Sequence, residues 1–165
     1  MAVLSAPRTR WPSATGAGDV LDVLRRQHAM LDELFDELKC GGNHSRAVAL
    51  ELAARLIAHS AASQAAFYPA VMRDETAPLV KTSLAELEAI DRGVGQLLEI
   101  DPLLERRKFE LKVAVLHRLV AWHAHDEEAQ RLFPLVRALV PEPVRRAIAE
   151  DYRAHFDAGM HAHLA

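Results

Sequence analysis

Cysteine is almost missing from this chain. Its 165 residues contain one, Cys40, which excludes a disulfide framework and any cysteine-rich metal site. Long apolar runs are missing too: nowhere do about 18 hydrophobic residues follow one another, so a membrane span is excluded. The first 19 residues, MAVLSAPRTRWPSATGAGD, hold no apolar stretch of signal-peptide length, and a cytoplasmic home is expected. There is no excess of positive charge, because 20 Lys and Arg face 23 Asp and Glu, and a pI near 6.3 speaks against a nucleic-acid partner. No segment alternates apolar and polar residues over a useful length, which excludes strands. A glycine-rich phosphate loop, a nucleophile motif and a triad ordering are likewise missing, so neither a hydrolase nor a nucleotide enzyme is expected.

What remains is a chain that is half hydrophobic and holds nine histidines beside only two tyrosines and two tryptophans. Its length suits one domain with a sizeable core. Residues 1–18 lack an apolar period and read as a flexible tail. From the N-cap Asp19 a helix follows, with Leu21, Leu24, His28, Leu31, Phe35 and Leu38 on one stripe and Gly41 and Gly42 at its end. A second helix starts near Asn43 or Ser45 and runs to about Met72, with stripe Leu52, Leu56, His59, Ser63, Phe67 and Ala70. Pro78 opens a third, whose stripe reads Val80, Leu84, Leu87, Asp91, Val94 and Leu98. Asp101 and Pro102 open a fourth, continuing to about Val140 with Phe109, Val113, Leu116 and Val120 inward. Pro141 and Pro143 then break the chain before a shorter amphipathic helix over 144–160. Long amphipathic helices with short connections predict an all-α fold: an antiparallel up-down-up-down four-helix bundle over 19–140, with residues 141–165 as a short capping helix across one end.

Polar residues interrupt the stripes. His28, His59 and Asp91 each sit in register with leucines, and the fourth helix offers His123, His125, Glu127 and Glu128 at mid-length. A lone histidine on such a stripe is ordinarily a satisfied core residue. An aspartate is rarer, because an unpaired buried carboxylate is costly. Convergence from all four helices is explained equally by a buried polar network or by a metal site, since imidazoles and carboxylates together ligate iron, manganese and zinc.

Two segments mirror each other: His59-Ser-Ala-Ala-Ser63-Gln64 leading to Phe67-Tyr68-Pro69, and His123-Ala124-His125-Asp126-Glu127-Glu128 leading to Phe133-Pro134. Both resemble the paired H-x-x-x-E-E motifs, each followed by an aromatic-proline pair, of the hemerythrin-like HHE cation-binding domain. The resemblance spans 19–140 and includes His28. It implies a four-helix bundle around a non-haem di-iron site and a function in binding or sensing dioxygen or a related small molecule. The departures are specific. Ser63 stands where the family has a bridging glutamate, Ala124 where the motif count expects a histidine, and Asp91 where it expects an imidazole. His123 to Glu128 is an i, i+5 spacing that a helical bulge would bring onto one face. The ligand set that the resemblance leaves is His28, His59, Asp91, Glu128 and, with such a bulge, His123. That set suits one iron, with manganese or zinc as alternatives, in a mononuclear or asymmetric site.

Other features carry bland readings. Arg145 and Arg146 read as a solvated helix face, and Trp122 as a residue that packs on a neighbouring helix or a dimer partner. Gly93 and Gly95, inside the third helix, mark either close helix approach or a local kink. The C-terminal segment either caps the bundle with exposed histidines or lends it a ligand. The functional expectation is an iron-binding protein rather than an enzyme. The alternative is a metal-free bundle serving as a structural or interaction module. A third reading is oxidative chemistry at the site, or a haem bound through a histidine.

Overall fold

The computed structural model describes residues 18–42 and 44–164. The tail read over 1–18 lies outside that range apart from Gly18, as does Asn43. Among the described residues there are five continuous helices and no strand. The first, α1 (Val20–Cys40), is capped by the Asp19 side chain, which accepts from the Leu21 amide at 3.0 Å. It ends at Gly41 and Gly42, whose φ angles of 70° and 120° suit glycine. The second, α2, covers residues 45–71 as Ser45–Ala62, a π-helical turn Ser63–Phe67, and Tyr68–Val71. The third, α3, is Ala77–Leu98, with Pro78 in its first turn. The fourth, α4, covers 106–139 as Arg106–Ala121, a π-helical stretch Trp122–Leu132, and Phe133–Leu139. The fifth, α5, is Glu142–Leu164.

Two boundaries differ from expectation. Asp101 and Pro102 do not open α4: the Asp101 carboxylate accepts from the Leu103 and Leu104 amides at 2.8 and 3.0 Å, which holds a separate turn before the helix starts. Pro143 does not break the chain either. Proline is tolerated in a helix's first turn, where its missing N–H has no partner to lose, so α5 begins at Glu142.

α5 is therefore not a short cap. It spans 23 residues and packs alongside α1 and α2, including the π turn of α2. Ile148, Ala149, Tyr152 and Phe156 form its buried stripe. Arg145 is not solvated: it is 8% exposed, pairs with Asp19 at 2.6 Å and donates to the Val140 carbonyl, tying the start of α5 to the start of α1.

The core stripes of α1 and α4 are buried as read, and those of α2 nearly so, with Ala70 only partly covered. In α3 the stripe is rotated by one residue. Val80, Ser83, Leu87, Ile90, Val94 and Leu97 face inward, while Leu84, Asp91 and Leu98 lie at its edge. Gly93 permits close approach of α3 and α4, since a Cβ there would lie 2.9 Å from Leu116 Cδ1; around Gly95 nothing lies within 4 Å.

Candidate metal centre

Three donor atoms from three helices meet in the interior. One ring nitrogen from each of His28 on α1 and His59 on α2, and one carboxylate oxygen of Glu128 on α4, lie within 4.8 Å of one another. All three residues are at most 3% exposed. His28 sits on the leucine stripe of α1, so burial of that stripe aims it inward, and its ring stacks on Phe133. His59 precedes the π turn of α2. Glu128 lies within the π stretch of α4.

That π stretch decides which histidine of α4 turns inward. In an α-helix, residues five apart point about 140° away from each other. Where the helix widens to i→i+5 bonding, as in the Phe133 amide to Glu128 carbonyl bond, they share a face. His123 and Glu128 accordingly both point into the interior, with His123 Nε2 3.7 Å from Glu128 Oε1. His125 turns outward to meet Asp32 at 2.9 Å. Ala124 is buried at 1% exposure, and its neighbour His123 is the imidazole of α4 that turns inward.

The two carboxylate oxygens of Glu128 differ. Oε1 accepts the Tyr68 hydroxyl at 2.6 Å and faces His123, whose other nitrogen lies 2.9 Å from Glu86 Oε2. Oε2 forms a buried contact of 3.2 Å with His28 Nε2. Among the described residues, His28 Nε2, His59 Nε2 and Glu128 Oε2 are all buried without a hydrogen-bond partner. Leaving such groups unpaired costs free energy, and a cation at their centre would satisfy all three at once.

Protonation suits that role. Burial, then the nearby His28, lowers His59 to about 3, so its ring is neutral and able to ligate. Burial alone would raise the Glu128 carboxyl, but His123, His28 and His59 outweigh it and hold the group at about 2. For His123 burial acts downward, and the carboxylates of Glu128 and Glu86 overcome it to raise the ring. Tyr68 is pushed well up by burial and by Glu128, so it stays a neutral donor.

Of the expected ligands, the structure brings together His28, His59 and Glu128 and sets His123 beside them. Asp91 stays outside. It is half-buried, accepts from Ser60 at 2.9 Å, and is raised by burial. The rotated stripe of α3 is the reason, because Ile90 takes the inward position. Four contributors fall outside the set expected from the sequence: Tyr68, Glu86, Gln27 and, on α5, Tyr152. Tyr68 lay inside the aromatic-proline pair, and Glu86 falls one turn before the buried Ile90. Gln27 had no signal of its own beyond being next to His28. The C-terminal segment lends no metal ligand among its described side chains, since His155 and His161 are exposed and bond within α5. It does lend Tyr152, whose hydroxyl reaches Gln27 and His59. No helix among the described residues is long and apolar enough to cross a membrane. No family model, curated protein or solved structure matches the chain.

Proposed function

We propose that His28, His59 and Glu128 hold one non-haem metal ion, iron in the first instance, inside an antiparallel up-down-up-down bundle of hemerythrin-like type. The observation that carries this reading is the trio of buried donor atoms, from three helices, that converge without hydrogen-bond partners. Two imidazoles and a carboxylate form the facial set that leaves open positions on iron. Bound there, the metal would supply a redox-active Lewis acid able to take up dioxygen or another small ligand. The protein's own residues do the rest. Glu128 neutralises part of the ion's charge, Tyr68 anchors the far oxygen of that carboxylate, and Glu86 orients His123 beside it. Ser63, fully buried, offers no carboxylate to bridge a second ion, so the reading is one metal per chain.

A second reading has its own observation. Tyr68 and His123 already compensate Glu128 Oε1 without any cation, as a metal-free structural module would require. Metal analysis separates the two. Protein purified without a histidine tag and exposed anaerobically to Fe(II) is expected to retain about one equivalent after gel filtration. Retention of none supports the metal-free module, and two equivalents defeat the mononuclear assignment.

A further inference from the structure

We infer that Gln27 and Tyr152 are positioning residues that hold the His59 ring with its proton on Nδ1, leaving the Nε2 lone pair directed at the metal position. This inference rests on the metal-site reading above and makes the fifth helix part of the site.

The geometry is a buried triangle. His59 Nδ1 lies 3.0 Å from Gln27 Oε1 and 2.9 Å from Tyr152 Oη, and the Tyr152 hydroxyl donates to Gln27 Oε1. All three residues are at most 4% exposed. An amide oxygen accepts and never donates, so the hydrogen between His59 and Gln27 belongs to the ring. With the proton on Nδ1, the two lone pairs of Gln27 Oε1 receive one hydrogen from His59 and one from Tyr152. With the proton on Nε2 instead, a buried donor would have no acceptor, because that atom meets no hydrogen-bond partner.

The ring is held by packing as well. Tyr152 stands edge-on to His59, with centroids 6.3 Å apart, and stacks on Phe156 one turn further along α5. Gln27 is the residue before His28, so the α1 backbone that places one ligand also places the acceptor that orients the other. A ligating histidine that donates its second N–H to an oxygen is the usual arrangement around metals, and loss of such a partner weakens binding. Here that partner is itself fixed by a helix outside the four that carry the hemerythrin-like pattern.

The test uses two readouts on the full chain. In metal-free, 15N-labelled protein, the ring nitrogen shifts of His59 are expected to show the Nδ1–H tautomer. In Gln27→Leu the ring should shift toward the Nε2–H form. Co(II) affinity, measured by chelator competition, should fall about 10- to 100-fold in Gln27→Leu, and in the same direction in the shape-conserving Tyr152→Phe. Gln27→Glu, which keeps the acceptor, should recover binding. An Nε2–H tautomer in the wild type, or unchanged Co(II) affinity in both variants, would overturn the inference. If the wild type takes up no Co(II) while Gln27→Leu still loses the Nδ1–H tautomer, the positioning role stands and the metal-site reading falls.

Discussion

Glu128 Oε2 on α4 and His28 Nε2 on α1 lie 3.2 Å apart in the buried interior, and neither finds a hydrogen bond there. Two buried polar atoms at that distance form an arrangement that a shared cation could complete.

Metal binding to the folded state alone raises stability by mass action. At free Fe(II) about a hundred times the dissociation constant the gain is about 2.7 kcal/mol. For a domain of this size that corresponds to a melting temperature roughly 5–10 °C higher under anaerobic conditions. The rise is expected to vanish in His59→Ala and to persist in Asp91→Ala, because Asp91 stands outside the donor group. An equal loss in both variants would restore Asp91 to the ligand set.

Truncating the central carboxylate should be costly even without metal. Glu128→Ala leaves the raised His123 without its counter-charge and the Tyr68 hydroxyl without its acceptor, for a loss of about 3–5 kcal/mol. Asp91→Ala removes one hydrogen bond at the edge of the core, for about 1 kcal/mol. Urea unfolding in EDTA measures both, and comparable losses would contradict the placement of Glu128 at the centre.

Acid should weaken the metal-free protein in a defined window. Burial, aided by His28, holds His59 at about 3 in the folded state, against the ordinary 6.5. Between those values the unfolded chain binds a proton that the folded one does not, so stability falls as pH drops from 6.5 toward 3. Glu128, held at about 2 by its histidines against the pull of burial, adds a further loss as pH falls below the ordinary carboxylate range. The raised His123 works in the other direction, and its stabilisation is complete only about one unit below the ordinary 6.5, so it opposes the His59 loss down to there. The urea midpoint in EDTA should therefore decline steadily from about pH 5.5 to 4. A flat profile would show that His59 is not buried in the neutral form.

The two glycines of α3 should respond oppositely to alanine. At the exposed Gly95 a Cβ meets nothing, and Gly95→Ala should stabilise by about 0.5–1 kcal/mol through helix propensity. At Gly93 the same methyl would press on the buried Leu116 at 2.9 Å, so overpacking should cancel or exceed that gain. Thermal unfolding of the two single variants reads the difference directly.

Much of this was legible from spacing. The stripes of α1, α2 and α4 follow from leucines, valines and phenylalanines at helical intervals, which leave one burial solution, and His28 and His59 take their inward aim from the first two. In α3 the apolar residues were dense enough to support two registers one residue apart. Contact with α2 and α4 selects the register that buries Ile90 and leaves Asp91 at the edge, bonded to Ser60. Two prolines predict a break and a short last helix, although one of them, Pro143, lies where a helix start tolerates it.

By itself, the sequence determined that the chain is helical, where most of the helices end, and that histidines ride on two of the buried stripes. Those properties follow from local rules: periodicity, capping and the conformations open to glycine and proline. Tertiary structure alone decided that α4 widens into a π stretch, so that His123 and Glu128 turn in together while His125 turns out. It also decided that α5 lies along α2 and brings Tyr152 to His59. Neither outcome has a local signal, because a π turn is favoured only by the contacts it permits. The side of a bundle on which a helix docks is set likewise by the complementary surface it finds there.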